Sequence, residues 1–370
     1  MYCKKCVLPD TRPGAFLNED GVCAACVGHE EKIKTIDWDQ RKDQLEKIIE
    51  EFRGNAGNYD CLIPVSGGKD STYQVHMIKN VYKLRPLCFT LQTPAGTELG
   101  RRNLENLVNM GVDHIGLSIN PETERKFVCK ALEKAGNPGL PFHMAAFAST
   151  ARIAVNYKIP LVIWGESTQM EYGGDDDDRK NPYLDLNWVK KYGCCNGTTV
   201  EDWVDENLTA QDLYPYTFPS EEELAEAKVQ SIFLGYYFKW DPYENFAIAK
   251  ECGFQERKDG PIMGLYNFAD LDCDFIVVHH FIKWYKFGVT RLFDNVSVEI
   301  RNGRMTREEG IQLIKATKVE PPRRHIACLC KFLKISEERF WEILEKFRNH
   351  DIWKQDSRGQ WYMPDYLKGL

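Results

Sequence analysis

Residues 66–71 combine the residue types that bind a phosphate group. An apolar run at residues 61–65 leads into them, and a helical pattern follows. The residues are Ser66, Gly67, Gly68, Lys69, Asp70 and Ser71. Glycines let the backbone approach an anion closely, N–H groups at a helix start point toward it, and the lysine adds positive charge. A Walker A loop needs a Gly where this chain has Ile63, so this phosphate site is of another kind.

Four cysteines near the N-terminus have the spacing of a metal site. They form two close pairs separated by sixteen residues, and they are Cys3, Cys6, Cys23 and Cys26. Two such pairs can bring four thiolates to one tetrahedral zinc ion, and an iron–sulfur cluster is the alternative. The first 30 residues are too poor in apolar residues to build a core alone, so a structural metal is expected there.

A later strand pattern also ends in a residue that could do chemistry. Residues 161–164 are apolar, and Gly165, Glu166 and then Glu171 follow. We expect Glu166 at the same sheet edge as the phosphate loop, where a carboxylate can hold Mg²⁺ or a substrate hydroxyl.

Alternating patterns predict the elements that position these residues. Short apolar runs lie at residues 61–65, 87–91, 114–117 and 161–164, with helical patterns at residues 37–52, 71–79, 98–110, 122–134 and 143–157. This alternation predicts an α/β fold, a Rossmann-like parallel sheet with helices on both faces. Thr90, in the second strand, and Gly165, after the fourth, join the candidates for nucleotide binding.

The chain is predicted to have three parts. Residues 1–35 form a four-cysteine zinc module, residues 36–190 the α/β domain with the phosphate loop, and residues 191–370 a mostly helical region that binds substrate or partners. Helical patterns at residues 221–237, 307–317 and 337–348 support the last assignment.

Composition narrows the class of protein. The chain has 48 basic and 55 acidic residues, a net charge of -7. A nucleic-acid partner is not expected, since such proteins usually carry a basic surplus. No signal peptide or membrane span is apparent, so we expect a cytoplasmic protein whose thirteen cysteines are reduced or bind metal.

The string Ser-Gly-Gly-Lys-Asp-Ser at residues 66–71 resembles the PP-loop of the ATP pyrophosphatase superfamily. That superfamily includes asparagine synthetase, GMP synthetase, NAD synthetase and several tRNA thiolases. The resemblance implies a PP-loop (HUP-type) fold. It also implies that the loop holds the β,γ-pyrophosphate of Mg-ATP while AMP is transferred.

A closer resemblance covers nearly the whole chain. Its segments are similar to the N-acetyl sugar amidotransferases (the WbpG, PseA and LegA type) of bacterial surface-polysaccharide and nonulosonic acid pathways. They are residues 2–13, 98–107, 164–166, 171–174, 233–237, 286–288 with Arg291, and 300–309. The resemblance implies that an acetamido group on a sugar, expected to be nucleotide-linked, becomes an acetamidino group in lipopolysaccharide or O-antigen synthesis.

The same resemblance implies roles and partners. Lys69 and Asp70 grip the pyrophosphate, and Lys286 and Arg291 are candidates to neutralise its charge. Glu166 and Glu171 are candidates to orient the sugar or the ammonia. Ammonia is expected from a separate glutaminase through a cyclase-like subunit, because no glutaminase signature is apparent here.

Other interpretations stay open at this level. Cys194 and Cys195 superficially match a glutaminase elbow, but no apolar strand precedes them, which favours a structural or substrate-lining role. A tRNA thiolase would share the loop, the metal and adenylation. A nucleotide-binding subunit without activity would share the loop alone.

Overall fold

A five-stranded parallel sheet forms the centre of the computed structural model, which describes residues 1–54, 57–368 and 370. The strand order is β3-β2-β1-β4-β5. The strands are β1 (Cys61–Pro64), β2 (Pro86–Leu91), β3 (Asp113–Leu117), β4 (Leu161–Trp164) and β5 (Gln230–Phe233). Leu62 of β1 pairs with Leu87 on one side and Val162 on the other. The strand that leads into residues 66–71 therefore lies at the middle of the sheet.

Helices cover both faces of the sheet, as the sequence predicts. They are α2 (Trp38–Phe52), α3 (Lys69–Val75), α4 (Glu98–Val108), α5 (Pro121–Ala135) and α6 (Leu140–Tyr157), while α1 (Ala24–Lys34) belongs to the N-terminal segment. A π-helical turn, His76–Val81, continues α3. Alternate strand residues face opposite sides, so Leu62 packs in the core under α5 and α6, and Ile63 in the core under α2, α3 and α4.

The second half of the chain is mostly helical. Its helices are α7 (Thr168–Tyr172), α8 (Asp176–Arg179), α9 (Leu186–Tyr192), α10 (Glu221–Glu226), α11 (Leu234–Tyr237), α12 (Pro242–Glu251), α13 (Asp274–Phe287), α14 (Arg291–Arg301), α15 (Arg307–Ala316), α16 (Arg323–Leu333) and α17 (Glu337–Glu345). Short 3₁₀ helices lie at Val200–Trp203 and Tyr214–Tyr216, and β6 (Lys354–Gln355) pairs antiparallel with β7 (Trp361–Tyr362).

The predicted helix at residues 221–237 is wrong. Helix α10 ends at Glu226, Lys228 adopts a left-handed backbone, and residues 230–233 form β5 beside β4. Strand β5 has only four residues, and α11 follows it directly. The apolar residues of the two elements together have the spacing of a single helix. A domain boundary after residue 190 would therefore separate β5 from the rest of its sheet.

The N-terminal segment packs against the C-terminal helices rather than standing apart. Its buried cysteines share an apolar cluster with Phe293 and Val296 of α14 and Ile311 of α15. A separate cluster joins α13, α16 and α17. Within the described ranges, no helix has the length and apolar character to span a bilayer.

Candidate functional site

Two neighbouring cavities open at the carboxyl ends of the strands. The inner cavity has a volume of about 190 Å³ and lies between residues 66–70 and residues 266–298. The outer cleft, about 540 Å³, is lined by the ends of β1, β2 and β4 and by α4 and α6. Both are lined by Ser66, Asp70, Gly100, Glu166 and Asp272. Ligands of parallel sheets bind at this edge, so the phosphate-type loop lies where two substrates could meet.

Gly67 gives the loop its shape. Its φ is +79°, and a Cβ added to it would lie 2.5 Å from the backbone nitrogen of Leu104 on α4. The Gly68 N–H donates to the Ser66 hydroxyl at 3.2 Å, and α3 begins at Lys69. The turn thus needs glycine both for its left-handed backbone and for its contact with α4.

We expect Gly67→Ala to displace the loop and destabilise the protein. The left-handed backbone alone costs about 1–2 kcal/mol for a residue with a side chain, and the contact with Leu104 adds to it. Gly359→Ala is the matched control, because Gly359 has a φ of +75° and no atom within 4 Å of its added Cβ. Urea unfolding should show a clearly larger loss of free energy for Gly67→Ala; equal losses would contradict the close packing.

Lys69 and Asp70 are held together at the inner cavity. The Lys69 ammonium is largely buried and lies 2.5 Å from an Asp70 carboxylate oxygen. The other Asp70 oxygen accepts a hydrogen bond from the Asn245 side-chain amide at 3.0 Å. The charge of Lys69 is therefore positioned before any substrate binds, and it can bind a phosphate oxygen without a large rearrangement.

The remaining predicted nucleotide-binding residues line or adjoin the outer cleft. Ser71 donates its hydroxyl to the Gly68 carbonyl, and Thr90 donates to the Val65 carbonyl at 2.7 Å, which fixes the end of β1 beside β2. Gly165 follows β4, where a Cβ would lie 2.8 Å from the Gln74 side-chain oxygen. These residues shape the strand ends, and their hydroxyls are already engaged with backbone carbonyls.

Glu166 lies between the two cavities among other carboxylates. Burial, aided by Asp70 and Glu171, raises the pKa of Glu166 to about 7, and burial raises the pKa of Asp272 to about 6. Carboxylates that repel one another in a buried site can bind a divalent cation. Among the described residues, the four cysteines are the only group of three or more potential ligands whose ligand atoms all lie within 4.8 Å of one another. A cation at Glu166 would thus need oxygens from phosphate or water as well.

Glu166→Gln should stabilise the folded protein at alkaline pH. The raised pKa means that the folded state favours the protonated acid, so wild-type stability falls as pH rises from about 4.5 to above 7. Glutamine stays neutral, and we expect a gain of about 3 kcal/mol at pH 8 that nearly disappears at pH 4.5. Urea unfolding at both pH values tests this, with exposed Glu226→Gln as the control. A gain independent of pH would contradict the assignment.

Arg291 brings the C-terminal region into the inner cavity. Its guanidinium lies 3.5 Å from the Asp270 carboxylate and 3.9 Å from that of Asp294. Burial alone would raise the pKa of Asp270, but Arg291 and His280 lower it well below its usual value. Asp270 also has a φ of +54°. A non-glycine residue in that conformation, held by buried charges, is typical of a functional site.

Lys286 does not reach the site, which corrects its predicted role. Its ammonium donates to the carbonyl of Ala135, the last residue of α5, at 2.7 Å. The last carbonyls of a helix lack partners within the helix, and a lysine near them supplies one. Of the two cations expected to neutralise pyrophosphate, the structure brings only Arg291 into the cavity.

Sequence reasoning missed the cavity wall formed by residues 266–272. This wall contributes Tyr266, Phe268, Asp270 and Asp272, and Lys69 lies 5.6 Å from the centre of the Phe268 ring. The segment has no periodic pattern and belongs to no helix or strand. Two aspartates two residues apart were the one available signal, and such pairs are common on surfaces.

The four-cysteine cluster has the dimensions of a site for one metal ion. All four cysteines are buried, Cys3 and Cys26 have sulfurs 3.9 Å apart, and those of Cys6 and Cys23 are 3.6 Å apart. Tetrahedral zinc with bonds of 2.3 Å sets sulfurs about 3.8 Å apart. The cluster can therefore hold a metal such as zinc.

The N-terminal module also contacts the wall of the inner cavity. Lys32 of α1 forms an ion pair with Glu171, and both side chains are mostly buried. Arg12 donates to Asp294 at 2.5 Å and lies over the Tyr172 ring at 5.6 Å. Because Glu171 and Tyr172 line the cavity, the module supports that wall directly.

Cys194 and Cys195 lie away from both cavities. Cys195 is buried in the main core, and Cys194 is exposed with a φ of +59°. A structural role fits Cys195.

The part of the chain that includes Arg291 matches the model of a known protein family. Residues 243–368 match the family described as LPS biosynthesis protein WbpG-like, C-terminal domain. This confirms the predicted relationship to WbpG-type proteins. We call this matched region the WbpG-like domain. The WbpG-like domain includes Tyr266, Asp270 and Arg291, so it contributes one whole side of the inner cavity.

Other similarities are more distant. An uncharacterized protein, MJ1599, from Methanocaldococcus jannaschii is 26% identical over 113 residues, 30% of this chain and 38% of that relative's length. The U34-tRNA thiolase NcsA from Methanococcus maripaludis, solved with its [4Fe-4S] cluster, is 12% identical with a TM-score of 0.31, covering 86% of this chain and 90% of its own. NMN synthetase from Francisella tularensis is 13% identical with a TM-score of 0.26. The similarity covers 78% of this chain and 99% of the synthetase.

Proposed function

We propose that this chain is an ATP-dependent, AMP-forming amidotransferase that converts an acetamido group of an N-acetyl sugar into an acetamidino group. One observation carries the proposal: the phosphate-type loop at residues 66–71 and the WbpG-like domain face each other across the inner cavity. The match of residues 243–368 to a family of LPS biosynthesis proteins supports a sugar substrate.

The two cavities suggest how ATP and the acceptor would meet. The outer cleft would receive adenosine at the ends of β1 and β2, and the loop with Lys69 would hold the β- and γ-phosphates. The α-phosphorus would then lie at the shared wall near Glu166. Arg291 would stabilise the negative charge that pyrophosphate gains as it leaves. Glu166 and Glu171 would orient the acceptor or the ammonia.

The chemistry explains why ATP is needed. An amide carbon is a poor electrophile, and its oxygen is a poor leaving group. In the first step the amide oxygen bonds to the α-phosphorus, and the bond to the pyrophosphate breaks. In the second step ammonia bonds to the carbon, and the C–O bond breaks to release AMP. Protons lost from nitrogen pass to solvent, and the amide oxygen leaves in AMP.

Two further ions and two partners belong to the proposal. Mg²⁺ would bind the phosphates with help from Asp70 and Glu166. Zinc would fill the cysteine cluster in a structural role, since four thiolates leave no open coordination position. Ammonia would come from a separate glutaminase subunit through a cyclase-like subunit.

A test follows the amide oxygen. The chain, Mg-ATP and ammonium are incubated with a panel of nucleotide-linked N-acetyl sugars whose acetyl oxygens carry ¹⁸O. We expect pyrophosphate release with at least one sugar and ¹⁸O in the AMP. No release across a broad panel by folded, metal-loaded protein would refute the proposed reaction, and unlabelled AMP would refute its first step.

A sulfur-transferring enzyme is less favoured, since no cysteine is among the described residues that line either cavity.

A further inference from the structure

A small group of polar side chains surrounds Gly139, just before α6. A Cβ added to Gly139 would lie 3.4 Å from His279 Nδ1, 3.6 Å from Asn137 Oδ1 and 3.6 Å from His143 Cε1. We call Asn137, Gly139, His143 and His279 the Gly139 cluster. The side of Gly139 on which another residue would carry its Cβ therefore faces three polar residues at ordinary van der Waals distance.

Two polar atoms of the Gly139 cluster have no protein partner. Asn137 is 6% exposed, and neither its Oδ1 nor His279 Nδ1 makes a hydrogen bond with any residue that the structure describes. Buried polar atoms nearly always make hydrogen bonds, because leaving one unpaired costs about 1–3 kcal/mol. Their convergence beside a glycine points to a small ligand with hydrogen-bonding groups of its own.

The electrostatics of the Gly139 cluster favour a neutral ligand. Burial lowers the pKa of His143 and of His279, so both rings are uncharged near neutral pH. The nearby Lys283 lowers the pKa of His279 further, which shows a positive potential there. An ammonium ion would be repelled. Ammonia offers three N–H donors and one lone pair, which match the Asn137 oxygen and a neutral imidazole.

The Gly139 cluster lies between the surface and the inner cavity. The Asn137 side-chain amide donates to the carbonyl of exposed Cys194 at 3.3 Å. On the other side, the rings of His279 and His280 are 5.6 Å apart, and His280 Nε2 is 3.5 Å from the Asp270 carboxylate. A small molecule in the cluster would thus be one histidine ring away from the cavity wall.

We propose that the Gly139 cluster binds one ammonia molecule between the surface at Cys194 and the inner cavity. The inference rests on the proposed function, because that reaction consumes ammonia at the inner cavity. No covalent bond changes in the cluster; its side chains hold ammonia by hydrogen bonds near the place where it reacts.

Gly139→Ala tests the site by filling it. The φ of −84° and ψ of −13° suit alanine, so the variant should fold normally. With an accepted sugar, we expect the KM for ammonium chloride to rise about tenfold, as the loss of hydrogen bonds to a small ligand would cause. Exchange of labelled pyrophosphate into ATP with that sugar needs no ammonia and should stay unchanged. An unchanged KM for ammonium would overturn the inference.

A binding experiment separates this inference from the proposed function. If the wild type supports no pyrophosphate exchange with any sugar, the proposed function fails, and the site is judged by NMR alone. Ammonium chloride, compared with equal sodium chloride, should shift the ring nitrogen signals of His143 and His279 in the wild type and not in Gly139→Ala. Identical spectra in the two salts would show a site that holds only water and would overturn the inference.

Discussion

Lys69→Ala is expected to lower pyrophosphate release by about 10²–10³-fold, the effect of removing one preorganised electrostatic contact to a transition state. The Lys69 ammonium is buried at the inner cavity and already oriented by Asp70. Alanine removes this charge and leaves the backbone of the loop in place. Stopped assays of pyrophosphate, with ATP and the accepted sugar near saturation, measure the loss.

Lys47→Ala is the matched control for Lys69→Ala. Lys47 lies on the exposed side of α2, away from both cavities, so the same change in side chain and charge should leave turnover unaltered. Circular dichroism and metal content should match the wild type in both variants. Full activity in folded Lys69→Ala protein would contradict the assignment of the loop to phosphate binding.

Cys26→Ser is expected to release the metal and, with it, most of the activity. Three thiolates and a hydroxyl bind zinc much more weakly than four thiolates, and the N-terminal segment depends on the metal to fold. Arg12 and Lys32 then lose the positions from which they hold Asp294, which lies beside Arg291, and Glu171, which lines the inner cavity. We therefore expect lower turnover together with a large fall in unfolding temperature.

Metal analysis and a cysteine control complete this prediction. The wild type should contain about one zinc per chain and show no visible absorption band. Cys328→Ser removes a partly exposed thiol on α16 and should retain both metal and activity. A brown protein with iron and sulfide would contradict the zinc assignment. Full activity in metal-free Cys26→Ser would contradict the role of the module in the cavity wall.

The features that the sequence predicts well are local. The cysteine pairs and residues 66–71 are each recognised from residue types only a few positions apart, so their spacing alone is informative. The first four strands and the helices between them also follow from short repeating patterns. Strand β5 was missed because its four residues are recognisable only by their pairing with β4.

The features that the sequence does not reveal depend on distant contacts. Lys286 and Arg291 are five residues apart, yet one caps α5 while the other faces the loop, and only the packing of α13 and α14 decides which. Arg12 and Asp294 meet across 282 positions of the chain. Asp270 lies in a segment without regular structure, where no periodicity indicates the direction of a side chain.

The most direct test of the account is the identity of the nucleotide product. ATP labelled in both the α- and the γ-phosphate is incubated with the chain, Mg²⁺, ammonium and the accepted sugar, and the products are separated. A loop that grips the β- and γ-phosphates predicts labelled AMP and labelled pyrophosphate in equal amounts. Labelled ADP with free orthophosphate would show attack at the γ-phosphorus and would contradict adenylation.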